Sequence, residues 1–177
     1  MNGKFEIENG ILKLYSGDDE IALVPKGVTV IASDAFRNDG STVREILLPD
    51  SVRYLASRAL IGCKNLEVLR INKTEITFGR AVFYNVKSGL TIYFAGSSQE
   101  WKKAIQPQSE SRNSSYDNGW GGGAPGCYWD EYHLYPMGHE DKEKFTCTVH
   151  CAEDGVTLEQ KGCQCEAFVH HHTPYDD

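Results

Sequence analysis

The chain has 177 residues, 40% of them hydrophobic, and carries 18 Lys and Arg against 25 Asp and Glu, a net charge of −7. That length holds one good core or a small repeat array with an accessory module, and two units are expected. The acidic balance, with no basic run longer than Lys102-Lys103, repels phosphate polymers and anionic lipid, which excludes nucleic acid and a membrane surface from the expected partners.

Residues 4 to 24 alternate apolar and polar positions well enough to predict two strands. Phe5 and Ile7 lead into a turn at Glu8-Asn9-Gly10, and Ile11 to Tyr15 leads into another at Ser16-Gly17-Asp18. The pair reads as an N-terminal β-hairpin cap. A stacked array needs one, because its first unit otherwise exposes an apolar end and an unpaired strand edge.

The array itself is a threefold self-similarity. IALVPKGVTVIASDAF begins at Ile21, ILLPDSVRYLASRAL at Ile46 and LRINKTEITFGRAVF at Leu69. Pro25 to Pro49, Val28 to Val52 and Ala35 to Ala59 are 24 apart, while Leu55 to Phe78 and Leu60 to Phe83 are 23 apart. A unit this short cannot bury its own apolar face and must lean on copies of itself. In each copy a strand comes first, so Ala22 and Val24, Ile46 and Leu48, Leu69 and Ile71, and Ile92 and Phe94 should face the core. Their outward neighbours Leu23, Leu47, Arg70 and Tyr93 then form one column on a short parallel sheet and are the candidate partner-binding residues. The competing reading covers Leu23 and Leu47 with the cap or leaves them as tolerated single apolar residues. A proline turn ends the strand, and small-large pairs such as Ala35-Phe36 and Ala59-Leu60 fill the space between layers. Cys63, in the repeat phase of Val86, reads as a buried small hydrophobe.

LPDSVRYLASRALIGCKNLEVLRI resembles the repeat of the BspA-like, or treponemal-type, leucine-rich repeat family. The third copy departs from the pattern, with Asn72 in place of the proline and Glu75-Ile76 out of the valine phase, and Ala32 and Ala56 stand where glycine is usual. LTIYFAGSSQEWKKAI is similar to the strand and short helix that close such arrays, and NGWGGGAPGCYW resembles their trailing segment. The resemblance spans about residues 5 to 130. It implies an α/β chain built as a short leucine-rich-repeat solenoid with a small parallel sheet, used for adhesion and protein contact, with no catalytic residues to transfer.

Residues 106 to 126 are rich in Ser, Asn and Gly and read as a linker or long loop. Trp120 within it anchors the loop if buried and joins the partner-binding set if exposed. Five of the six cysteines and all six histidines follow residue 126, so residues 127–177 are expected to form a Cys/His module beyond a solenoid of residues 1–105. Cys147 and Cys151 can share one face of a helical turn, and Cys163 and Cys165 one side of a strand, the logic of a structural zinc site, with His150 as an alternative ligand. Two disulfides in an oxidising compartment, or ordinary thiols in a reducing one, are the competing readings. His170-His171-His172 read as part of a mobile tail.

The favoured function is a non-enzymatic module that binds a protein partner through the sheet face, as an intracellular adaptor or an inhibitor of a host protein carried by a bacterial or phage genome. No segment is long enough to span a bilayer and no signal-peptide pattern precedes the cap, so a cytoplasmic location is expected. If such a signal has been removed, the alternative is a secreted or surface adhesin fragment with a disulfide-bonded tail. A hydrolase built on Asp130, Glu131, His133, His139 and a tail metal is the third reading, since no nucleophile, base and orienting group can be read from spacing. An uncapped C-terminal end would favour a homodimer.

Overall fold

In a computed structural model, which describes residues 4–56, 58–79, 82–83, 86–104 and 146–161, the first feature is the two-residue turn Asn9-Gly10. Both residues have positive φ, 54° and 79°, the backbone twist that joins antiparallel strands most tightly. It links β1 (Phe5–Glu8) to β2 (Ile11–Tyr15). The Gly10 carbonyl accepts the Thr29 N–H at 2.7 Å, so the hairpin tip is fastened to the first rung. A second latch lies at its base. The Tyr15 hydroxyl donates to Asp19 Oδ2 at 3.0 Å, and Lys4 Nζ reaches both Asp19 carboxylate oxygens at 2.7 Å.

From there the chain winds as a solenoid of two facing sheets. The first contains β3 (Ile21–Leu23), β5 (Glu45–Leu48), β7 (Val68–Ile71) and β9 (Leu90–Phe94), side by side and parallel. The second contains the hairpin and three very short strands, β4 (Val30–Ile31), β6 (Tyr54–Leu55) and β8 (Thr77–Phe78), in the order β1-β2-β4-β6-β8. Between the sheets lies the core. The expected inward residues of the first sheet are all buried, Ala22, Val24, Ile46, Leu48, Leu69, Ile71, Ile92 and Phe94. Leu12, Ile31, Leu55 and Phe78 meet them from the second, and Ala35-Phe36, Ala59-Leu60, Val82-Phe83 and Cys63 fill the return path.

The proline turns work as expected, and the rungs are tied by side chains. Ser51 Oγ donates to the Val28 carbonyl at 2.7 Å and accepts the Gly27 N–H at 3.2 Å. Asn72, standing where the other copies have proline, donates through Nδ2 to the Leu48 carbonyl one rung back at 3.1 Å. The irregular third copy keeps its core: Ile76 is buried and does the packing of Val28 and Val52. The bend after the second-sheet strands is carried by Asp34 and Arg58, with φ of 62° and 60°, and not at Ala32 and Ala56, which need no glycine because their own backbone is not left-handed. Gly62 has φ 98°, and a Cβ there would lie 2.6 Å from the Phe36 carbonyl oxygen. Only glycine fits that approach between rungs.

The expected closing helix is α1 (Ser98–Ala104). Its Trp101 is fully buried and meets Phe78 and Phe94 edge-on, with ring centroids 5.5 and 5.4 Å apart. Helix content is small, and strands carry the fold.

One expectation is corrected. β10 (Thr146–Cys151) pairs parallel with β9, and β11 (Val156–Lys161) pairs antiparallel with β10, giving the sheet order β11-β10-β9-β7-β5-β3. These strands therefore continue the repeat sheet, and the division expected at residue 127 does not set them apart. The reason is periodic. Cys147, Val149 and Cys151 alternate inward as Leu90, Ile92 and Phe94 do, and all six are buried.

Candidate functional site: the outer row of the repeat sheet

Parallel pairing in strict register stacks every outward residue on its counterpart. Leu23 lies opposite Leu47, Leu47 opposite Arg70, and Arg70 opposite Tyr93. The column anticipated from repeat spacing is therefore a physical row. It runs two strands further, through His150 opposite Tyr93 and Thr157 opposite His150.

The row changes chemistry along its length. At the β3 end Leu23 is 61% exposed and its strand neighbour Ile21 53%, an apolar step. In the middle Arg70 Nε donates to Glu45 Oε2 at 2.6 Å, and its guanidinium carbon sits 4.4 Å from the Tyr93 ring centroid. Tyr93 in turn stacks on His150, with centroids 5.0 Å apart and planes 19° off parallel. His150 Nδ1 shares a hydrogen bond with the Thr157 hydroxyl at 3.1 Å. Five side chains on five neighbouring strands thus brace one another from Glu45 to Thr157. Holding long side chains upright in this way lowers the entropy that a binding event would otherwise cost.

A shallow cleft of about 360 Å³ opens beside the row where β9 and β10 end, lined by Asn72, Tyr93, His150, Gly155, Val156 and Thr157 among others.

The thiols take a different place from the one expected. Cys147 and Cys151 lie on a strand and not a helical turn, with buried Val149 between them on the inner face. Four residues of extended chain separate their Cα atoms by about 13 Å, whereas thiolates on one tetrahedral ion sit about 4 Å apart. The same separation forbids a disulfide between them. Burial pushes the Cys147 thiol up to about 12 and raises that of Cys151, which the Asp154 carboxylate raises further. Both are held as protonated core groups. Cys63 is likewise buried, its thiol raised by desolvation. His150, the alternative ligand, belongs to the outer face. Among the described residues no three His, Cys, Asp or Glu side chains converge as a metal site. Cys163, Cys165 and Trp120, and Asp130, Glu131, His133 and His139, lie outside the described residues.

His150 and Thr157 are the members of the row that repeat arithmetic missed. Tyr93 to His150 is 57 residues, against 23 from Arg70 to Tyr93, so the offset hides the rung. The alternation of Thr148 and His150 with Cys147, Val149 and Cys151 was the available signal.

A family model described as BspA type leucine rich repeat region matches residues 19–107 with six copies, which is half of the chain. Searches of curated proteins and of solved structures found no match. Repeats of this kind suggest a protein-interaction module, and the stacked rungs from Ile21 to Phe94 lie wholly within the matched span. The chain belongs to the BspA-type leucine rich repeat family.

Proposed function

We propose that the outer face of the six-stranded sheet binds a protein partner, and that the chain acts as a non-enzymatic interaction module. The observation that carries this reading is the continuous register of Leu23, Leu47, Arg70, Tyr93 and His150. It offers exposed apolar surface at one end, a braced ion pair in the middle and an aromatic pair at the other. Tyrosine and arginine, here Tyr93 beside Arg70, are enriched among the energetically dominant contacts between proteins. The opposite sheet presents Val30, Tyr54 and Ala56 already buried, which leaves less to contribute.

Site-specific photocrosslinking tests the reading. A photoreactive residue at Leu47 should trap a partner that one at Arg53, exposed on the far side, does not. The combined Arg70→Ala and Tyr93→Ala change should weaken capture of that partner while leaving the melting temperature nearly unchanged. Equal trapping from both faces, or undiminished capture by the double variant, counts against the face.

A further inference from the structure

We propose that the cleft beside Tyr93 and His150 is an anchor pocket for one uncharged aromatic side chain with a hydrogen-bonding tip, a tyrosine or a tryptophan, presented by a protein partner. The protein source of that side chain rests on the reading above; the pocket's chemistry does not.

The size sets the first limit. At about 360 Å³ the cleft stands at the low end of small-ligand sites, which gives room for one large side chain rather than a folded segment. Charge sets the second. No Asp, Glu, Lys or Arg lines it. An ion entering here would shed water with no counter-charge to meet it, so the complementary occupant carries no formal charge.

The aromatic stack sets the third. Arg70 and His150 flank Tyr93 from the strands on either side, so Tyr93 keeps no free face for a sugar or a base to lie on. What remains is its ring edge and hydroxyl. A ring edge carries partial positive charge and is complementary to the face of an incoming aromatic, in the edge-to-face arrangement that rings favour. Val156, 38% exposed, supplies an apolar wall. Asn72 supplies the polar end: its Nδ2 is committed to the Leu48 carbonyl, which leaves Oδ1 to accept from a phenol O–H or an indole N–H. An aliphatic side chain would make no hydrogen bond to that acceptor, and an acidic one would repel it.

The test is an amide NMR titration of the whole chain with N-acetyl-tyrosinamide and N-acetyl-tryptophanamide, beside N-acetyl-leucinamide and N-acetyl-glutamate amide. The aromatic probes should bind with dissociation constants on the order of millimolar, and their shifts should cluster at residues 72, 93–95, 150–152 and 155–157. Val156→Glu, a change at an exposed position, should weaken them about tenfold or more, and Thr157→Arg serves as a second block should the first alter the melt. Scattered shifts, none at all, or equal binding of the leucine and glutamate probes would overturn the pocket. If the probes fail while Leu47 still crosslinks a partner, the pocket falls and the face stands. If they bind while the face variants capture normally, the pocket stands and the face falls.

Discussion

Asp154 caps a helix that begins 56 residues before it: its Oδ2 accepts the Ser98 backbone N–H at 3.0 Å and the Ser98 hydroxyl at 2.8 Å. Ser97 Oγ meanwhile accepts the Glu100 N–H at 3.1 Å, so the first turn of α1 is satisfied from both sides. The same carboxylate takes the Val156 N–H through Oδ1 at 3.2 Å. One side chain therefore pins the β10–β11 turn to the helix that closes the core.

That contact makes the hairpin pH-sensitive. The Ser98 hydroxyl and N–H hold the Asp154 carboxyl below its ordinary value. A depressed folded-state value means the contribution is complete above the unfolded pKa of about 3.9 and is lost as pH falls through the lower folded value. Asp154→Ala should accelerate amide exchange in β10 and β11 and lower the melting temperature at pH 7, and the gap between variant and parent should close in acid. A gap that does not narrow at all as the pH falls below the unfolded value would show that the carboxylate is not the cause.

Trp101 plugs the end of the core against Phe78 and Phe94. Trp101→Ala should destabilise the fold by about 3–5 kcal/mol in urea unfolding, while Lys102→Ala on the exposed side of the same helix should stay within about 0.5 kcal/mol of the parent.

Gly27 and Gly62 have nearly the same φ, 97° and 98°, but only Gly62 is crowded. Alanine at Gly27 meets nothing within 4 Å and should cost only the left-handed penalty, about 1 kcal/mol. At Gly62 the clash with the Phe36 backbone adds to that penalty, for about 3 kcal/mol in all. Equal melting temperatures for the two variants would contradict the close approach between rungs.

The three described cysteines should be inert until the protein unfolds. With Cys147 pushed up to about 12, roughly one part in ten thousand is thiolate at pH 8, and burial blocks the reagent besides. Alkylation followed by peptide mass mapping should leave Cys63, Cys147 and Cys151 unmodified in native protein and fully modified in denaturant. Rapid native labelling of Cys147 or Cys151 would mean that the β10 strand detaches readily.

Most of the solenoid could be read from residues because its signal is local and repeated. Leu23, Leu47, Arg70 and Tyr93 fall into register since the strand-turn-strand length is nearly constant, and Ala59-Leu60 repeats Ala35-Phe36 at a fixed distance. The joining of β10 to β9 was not readable that way, because the 51 residues from Ala95 to Phe145 stand between the paired strands, and pairing across such a distance leaves no periodic trace. Cys147 and Cys151 are ligand-type residues by identity, yet Cys147-Val149-Cys151 is an apolar alternation that the sheet uses as core. Asp154 reaching Ser98 had no local signature at all, since each looks like an ordinary turn or helix-start residue.

The reversal of direction at β11 has a consequence for how such a molecule could change size. A further copy of the 23- or 24-residue unit could slip in anywhere between Ile21 and Phe94 without disturbing either fitting, Gly10 on Thr29 at one end and Asp154 on Ser98 at the other. Each insertion would lengthen the exposed file of side chains by one strand spacing, about 4.8 Å. The present span from Leu23 to Thr157 covers five such steps, about 24 Å. The two ends thus act as the stops of a ruler, and the count of units between them sets how long a surface the chain can cover.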